Sequence, residues 1–336
     1  MTLAPTERTD SVRYLVEPAI RRALDRLHPN SRLVAGYQLG LWDTDGSPAD
    51  ACGKWLRPAL ALLSARAAGG DPERGVPAAA AVELAHTFSL LHDDVMDGDT
   101  ERRHRPTAWT AFGVGPAILA GDALLGLAVE LLAEAPADGA AAAHRLSVDV
   151  GRLVAGQAAD LEFERRDDVT LDECLAMASD KTGALFACAA TLGAMLCDGP
   201  PALLAALSRF GGQLGLAFQL VDDLLGIWGD SRRTGKATGA DLRIRKRSTP
   251  VVWAITAGGP AGRALADLYR LPRTLNEEEV DRAAQLVEAA GAREWAVQRA
   301  EQEIDQALAQ LEEVPMPADA RQELSDLAVF AVRRDR

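Results

Sequence analysis

Three runs of this chain, Leu119–Ala133, Ala184–Leu196 and Leu214–Ile227, are apolar around almost their whole circumference. A helix with one apolar stripe can lie on a surface, but one apolar on all sides has to be enclosed by other helices. Three such runs predict the buried helices of a large bundle. No sustained period-2 run of Val, Ile, Thr or Tyr bounded by turn residues competes with them. The chain reads as Ala/Leu-rich segments of roughly 15–30 residues divided by short Gly/Pro/Asp breaks. The breaks fall at Asp43–Asp50, Gly69–Gly75, Gly98–Pro106, Asp198–Pro201, Gly229–Ser248, Gly258–Gly262 and Leu271–Asn276. None is long or biased enough to be an interdomain linker, and no internal repeat is visible. The expectation is an all-α chain with one domain over residues 1–336. Residues 1–8 should fray, and the more charged, amphipathic residues 276–336 should form peripheral helices.

Charge narrows the partners. The chain has 336 residues, with 49 acidic and 36 basic side chains, for a net charge of −13. Phosphate backbones and anionic lipid surfaces both select basic proteins, so nucleic acid and broad membrane docking are excluded as main partners. The N-terminal Met1–Asp10 is polar and lacks the apolar core of a secretory signal. The uncharged run Gly183–Cys197 has 15 residues, short of the ~20 that a spanning helix needs. The expectation is a cytoplasmic protein without stable membrane insertion. Cys52, Cys174, Cys188 and Cys197 show no metal-like spacing and read as small hydrophobes in a reducing compartment.

Two acidic clusters carry the chemistry. His92-Asp93-Asp94-Val95-Met96-Asp97 ends an apolar helix that begins near Ala78. Asp93 and Asp97 are four apart and share a face, where like charges repel. The negative end of the helix dipole makes the repulsion worse. The cluster therefore calls for a cation, and hard carboxylate oxygens suit Mg²⁺ bridging to phosphate. Gln219-Leu220-Val221-Asp222-Asp223 lies near the end of a second apolar helix. One such cluster could be a solvated helix end, but two in one helical chain suggest a metal held between bundle helices.

Basic residues gather beside these clusters. They are Lys54 and Arg57 in GKWLRP, Arg102, Arg103 and Arg105 after the first cluster, Lys181-Thr182, and Lys236, Lys246 and Arg247 in the Gly-rich loop. Arg grips phosphate through a planar fork and Lys as a point charge. Carboxylates suited to Mg²⁺ beside several Lys and Arg point to diphosphates. His86, seven residues before Asp93, falls within ~20° of the same helix face.

These residues resemble the trans-isoprenyl diphosphate synthases, or polyprenyl synthetases. The resemblance covers most of the chain and is most specific from about Gly53 to Pro250. It rests on GKWLRP, HTFSLLHDDVMD, RRHRPTAW, ILAGDALL, GQAADLEFE, KTGALF, FQLVDD and GKATGADLRIRKRSTPVV. It implies a class I isoprenoid synthase helical bundle with a central apolar cavity, usually a homodimer. It also implies condensation of isopentenyl diphosphate with an allylic diphosphate, with three Mg²⁺ per site. Carried over by position, Lys54, Arg57, His86 and Arg103 match the isopentenyl diphosphate site. Arg102, Lys181, Thr182, Gln219, Lys236 and Lys246 match allylic diphosphate contacts. Asp93, Asp97 and Asp222 match metal ligands, with Asp94 as support, and Lys181 joins them as catalytic. Phe88 and Ser89, five and four residues before Asp93, match the positions that set product length. The short first motif and the bulky Phe88 favour a twenty-carbon product, with fifteen carbons or a longer chain as alternatives.

One departure stands out. The second motif usually reads DDxxD, and here it reads Asp222-Asp223-Leu224-Leu225-Gly226. Asp230 is a possible substitute, offset by about 80° from Asp222 on a continuous helix. A terpene cyclase of the same fold would ionise one long diphosphate without a second substrate, and has no use for Lys54, Arg57, His86 and Arg103. A non-catalytic partner subunit would be expected to lose an aspartate motif, yet Asp93, Asp97 and Asp222 all stand.

Overall fold

The computed structural model describes residues 5–229 and 238–332. The described chain is helical apart from one two-residue hairpin and a single isolated bridge. In order, the elements are α1 (Pro5–Leu24), α2 (Pro29–Leu39), α3 (Leu56–Ala67), α4 (Val76–Asp97), β1 (Glu101–Arg102), β2 (Arg105–Pro106), α5 (Ala108–Phe112), α6 (Val114–Ala133), α7 (Gly139–Phe163), α8 (Leu171–Ala178), α9 (Ala184–Met195) and α10 (Pro201–Trp228). Then follow α11 (Ala240–Arg243), α12 (Thr249–Ala257), α13 (Gly259–Tyr269), α14 (Glu277–Ala289), α15 (Ala292–Glu312) and α16 (Ala318–Val332). A 3₁₀ turn (Pro72–Gly75) precedes α4, and a π-helical segment (Ser179–Gly183) joins α8 to α9. The chain forms two compact units. The first comprises Met1–Val150, Leu185–Gly211 and Gln310–Arg336, and the second Gly151–Ala184 and Gly212–Ala309.

In the first unit α4 is the central helix and packs against α6, α3 and α1. Its Ala78–Ala81 are all buried, and such small side chains let neighbouring backbones come close. Gly193 of α9 takes this further: a Cβ there would stand 1.8 Å from the Ala61 carbonyl oxygen of α3. Ser64 secures the same contact, accepting from the Ala194 N–H at 3.2 Å and donating to the Ala61 carbonyl at 2.9 Å. α4 stops at Gly98, whose φ of +69° is a left-handed C-cap and whose N–H donates to the Asp94 carbonyl. The acidic cluster is thus held at the last turn.

In the second unit, Ile227, Leu242, Val251, Leu265, Val280 and Val287 share one buried cluster that ties α10 to α14 together. Trp253 and Trp295 stack with ring centroids 5.6 Å apart. Capping boxes start α8 (Thr170 with Glu173) and α14 (Asn276 with Glu279), each satisfying two otherwise unpaired N–H groups.

One of the three all-apolar runs departs from expectation. Ala184–Leu196 is buried nearly throughout. Leu119–Ala133, within α6, is not enclosed: Leu119 is 63% exposed, and Val114 and Ile118 also face solvent. By length and composition Val114–Ala133 could cross a membrane, which the sequence reading did not foresee. Periodicity cannot separate a helix wrapped by its own chain from one with an open apolar side.

Candidate active site

The first unit brings together most residues singled out at α3, α4 and the hairpin. Asp93 is half-buried and Asp97 exposed, one turn apart on an open face. Asp94 points the other way and is 1% exposed. Arg102 grips Asp94 Oδ1 through Nε at 2.8 Å and Nη2 at 2.6 Å, and Gln38 Nε2 donates to Oδ2 at 3.4 Å. Burial pushes the Asp94 carboxyl up, and Arg102 pulls it back. The middle aspartate is therefore an anchor that aims Arg102. Gln38 escapes the sequence reading because it lies 56 residues away, in a helix without a motif.

The hairpin turn sets the two arginines apart. Arg103 and His104 have φ of +54° and +60°, the backbone of a tight two-residue hairpin turn. The Thr107 hydroxyl and Trp109 indole N–H both donate to the Asp99 carbonyl, at 2.8 and 2.7 Å, pinning the loop to the end of α4. The Arg103 guanidinium lies on the bare backbone of Gly53, where a Cβ would stand 2.7 Å from Nη2. The missing side chain of the glycine in GKWLRP leaves room for that approach. Arg105 has a structural task, stacking on Tyr37 at 4.2 Å and pairing with Asp43 at 2.8 Å.

Arg57 lies over the Phe186 ring at 4.4 Å, while Lys54 is exposed just before α3. His86 is half-buried, and desolvation followed by the charges of Arg57, Arg103 and Arg102 holds its pKa well below the ordinary value. It is a neutral imidazole at pH 7, able to donate one hydrogen bond. Glu83, one turn earlier, is buried, and its carboxyl is raised by desolvation against the pull of Arg103 and Arg57. It is the local counter-charge, and nothing in the sequence reading marked it. The Ser89 hydroxyl donates to the His86 carbonyl at 2.9 Å, and Phe88 packs edge-on to His92 at 4.8 Å.

The second unit assembles the other group. The π-helical turn Ser179–Gly183 inserts Lys181 and Thr182 where α7 comes closest: a Cβ on Gly156 would stand 2.3 Å from the Lys181 backbone nitrogen. Such bulges concentrate at functional sites. Lys181 Nζ meets Asp160 Oδ2 at 2.6 Å, and Lys246 Nζ approaches the same oxygen at 3.6 Å. Burial would raise the Asp160 carboxyl, but the two ammonium groups outweigh it and hold it below the usual range. The Thr182 hydroxyl donates to Gln219 Oε1 at 2.6 Å, and Gln219 Nε2 donates to Asp223 Oδ1 at 2.8 Å. The Thr249 N–H donates to Asp223 Oδ2 at 2.9 Å. Asp222 is exposed. The candidates Lys236 and Asp230 lie outside the described residues. Asp160 was present in GQAADLEFE, but only the folded chain shows it gathering two lysines.

The donors suit a hard cation. Asp93 and Asp97 offer carboxylate oxygens on one open face, and Asp222 offers another on α10. Among the described residues no three His, Cys, Asp or Glu side chains form a ready-made cage. Mg²⁺ usually takes only one or two carboxylates and completes its shell with water and substrate phosphate. The cationic groups beside each carboxylate set suit that phosphate.

The polyprenyl synthetase family pattern matches residues 48–287. The chain is 46% identical over 325 residues to a (2E,6E)-farnesyl diphosphate synthase of Mycobacterium tuberculosis, covering 95% of this chain and 90% of that one. It is also 46% identical over 297 residues to a geranylgeranyl diphosphate synthase of the same organism, covering 88% and 85%. A polyprenyl synthetase structure from Streptomyces coelicolor A3(2) superposes with a TM-score of 0.92 at 46% identity, covering 98% of this chain and all of that one. With a family match over most of its length, and relatives and a solved structure at 46% identity, the chain belongs to the polyprenyl synthetases, the trans-isoprenyl diphosphate synthases.

Proposed function

We propose that this protein condenses isopentenyl diphosphate with an allylic diphosphate in trans geometry, giving geranylgeranyl diphosphate as its main product. The observation that carries the reading is the presence of two cationic groups beside carboxylates: Arg57, Arg102 and Arg103, with neutral His86 among them, around α4, and Lys181 and Lys246 around Asp160. Two diphosphates need two such sets, whereas a cyclase needs one. The family match crosses both compact units, which supports a single catalytic domain over residues 1–336.

Bound Mg²⁺, three per site in this reading, would supply electrostatic stabilisation for the diphosphate as it leaves. Asp93, Asp97 and Asp222 are the residues that would hold it. Arg102, fixed by Asp94, and Lys181 and Lys246, gathered by Asp160, bind the allylic diphosphate and stabilise charge as it develops there. Lys236 belongs to the same set by sequence. The Thr182 hydroxyl and Gln219 amide form one hydrogen-bonded pair and belong to the same allylic diphosphate set by sequence. Lys54, Arg57 and Arg103 bind the second diphosphate, and neutral His86 adds a donor without adding charge. Their role is to bring the attacking double bond into line. Apolar helices around the site exclude water from the cation.

Phe88 and Ser89 sit one turn and more before Asp93 on α4, where a bulky side chain limits how far a growing chain extends. This supports the twenty-carbon product. A farnesyl product is the second reading, favoured by the relative of that name, which is equally identical and matches over more of the chain. The apolar side of α6, with Val114, Ile118 and Leu119 exposed, supports a homodimer built on that helix rather than a membrane span. A soluble, cytoplasmic enzyme follows from the same reading.

Purified protein incubated with isopentenyl diphosphate and each of dimethylallyl, geranyl and farnesyl diphosphate, with and without Mg²⁺, tests the proposal. Elongated diphosphates that require Mg²⁺ are expected. Cyclic hydrocarbon from a single diphosphate, or no elongation from any of the three, would overturn it.

A further inference from the structure

Three consecutive basic residues lie just after α11, and each takes a different partner. Lys246 approaches Asp160, which it shares with Lys181. Arg247 is 8% exposed and pairs with Asp167 Oδ1 at 2.5 Å. Arg245 goes to the end of α13, where its Nη1 donates to the Tyr269 carbonyl at 3.1 Å and also to the Leu271 carbonyl. The last carbonyls of a helix have no partner within it and carry the negative end of its dipole, so a guanidinium is favourable there.

The backbone at Arg245 is the unusual feature. α11 closes in a Schellman turn: the Arg245 N–H donates to the Leu242 carbonyl at 2.9 Å, and the Lys246 N–H to the Asp241 carbonyl at 2.8 Å. The left-handed residue of such a turn is usually glycine, yet here it is Arg245, with φ of +58°. A Cβ makes that conformation costly, and such strain persists where the surroundings over-determine it. Here they do. Beside the guanidinium on α13, the Tyr269 hydroxyl donates back to the Lys246 carbonyl at 3.3 Å, and the Leu275 N–H donates to the Arg243 carbonyl at 2.9 Å. Tyr269 is 3% exposed and belongs to the buried apolar cluster, so the clamp is anchored in the core.

We propose that Arg245 is a positioning residue for the allylic diphosphate, acting through Lys246. Its guanidinium, docked on the end of α13, holds the left-handed turn that sends the next side chain toward Asp160. Tyr269 holds the same turn from the α13 side. A lysine is a point charge on a flexible stem, so its aim depends on how firmly its backbone is held. The charge of Arg245 is committed to carbonyls, and that of Lys246 is kept for the anion. The inference rests on the assignment of Lys246 to the allylic diphosphate above.

Binding of inorganic diphosphate at fixed Mg²⁺, followed by isothermal titration calorimetry in a double-mutant cycle, tests this. Glycine suits the left-handed turn, so Arg245→Gly should keep the helical circular dichroism of the parent. It should nevertheless weaken binding about fivefold, the scale of one net hydrogen bond. Tyr269→Phe loses only the hydroxyl and should weaken binding about twofold; it carries the same cycle if Arg245→Gly loses helicity. Lys246→Met should weaken binding about tenfold or more. In that background neither of the other changes should have a further effect, because the group they position is gone. Parent-like binding by both variants, or effects that persist in full beside Lys246→Met, overturns the positioning role while leaving the enzyme assignment standing. Unchanged binding by Lys246→Met overturns it too, and removes that lysine from the allylic set. Absence of Mg²⁺-dependent binding in the parent protein would overturn both this role and the diphosphate reading.

Discussion

Phe88, only 7% exposed and set edge-on against His92, leaves a large void if shortened. Phe88→Ala should shift the product beyond twenty carbons, read by chromatography of dephosphorylated products. An unchanged chain-length pattern would remove the side chain from product control. Asp223 makes a different point. Burial lifts its carboxyl to about 6, against the pull of Lys246 and the hydrogen bonds from Gln219 and the Thr249 N–H. The unfolded value is about 3.9. Between about pH 4 and 6 the folded chain keeps a proton that the unfolded chain has lost, so this residue's contribution to stability falls as pH rises. Asp223→Asn should therefore show a shallower loss of urea midpoint than the parent across that window, and a parallel loss would refute the assignment. Neither aspartate that follows a metal-ligand candidate is itself an open ligand. Asp94 and Asp223 both turn inward to neighbouring side chains, a division that the string DD does not reveal.

At the scale of elements, the π-helical turn and α7 depend on one another. Gly156→Ala would drive a methyl into the Lys181 backbone, with an overpacking penalty of about 1–3 kcal/mol. Gly151, on the same helix, has nothing within 4 Å of its Cβ position. Gly151→Ala should therefore be neutral, or stabilising by about 0.4–1 kcal/mol. Urea unfolding of the two variants checks the contrast, which fails if both behave alike. The helix ends carrying Asp93 and Asp222 were legible because acidic residues at the end of an apolar run violate ordinary patterning. Gln38, Glu83 and Asp160 were not, because each acts through a partner that only folding brings near. The π-helical turn was equally hidden, since its residues continue the helical pattern on both sides.

For the whole molecule, the misread run on α6 becomes informative. Helical periodicity marks Leu119–Ala133 as buried, and its exposed side is buried only if another chain covers it. Leu119→Arg should convert a dimer to monomers in sedimentation equilibrium, and a dimer that persists would place the interface elsewhere. The net charge of −13 likewise describes the whole chain and not its site. Asp160 shows what this means for turnover. With Lys181 at 2.6 Å and Lys246 at 3.6 Å, it is a resident counter-ion for both lysines. In the proposed reaction the two ammonium groups would fall back on this carboxylate as inorganic diphosphate departs, so that release would be an exchange of one anion for another. A pocket with a built-in competitor would bind its by-product less tightly than its cations alone would dictate, and would clear sooner for the next cycle.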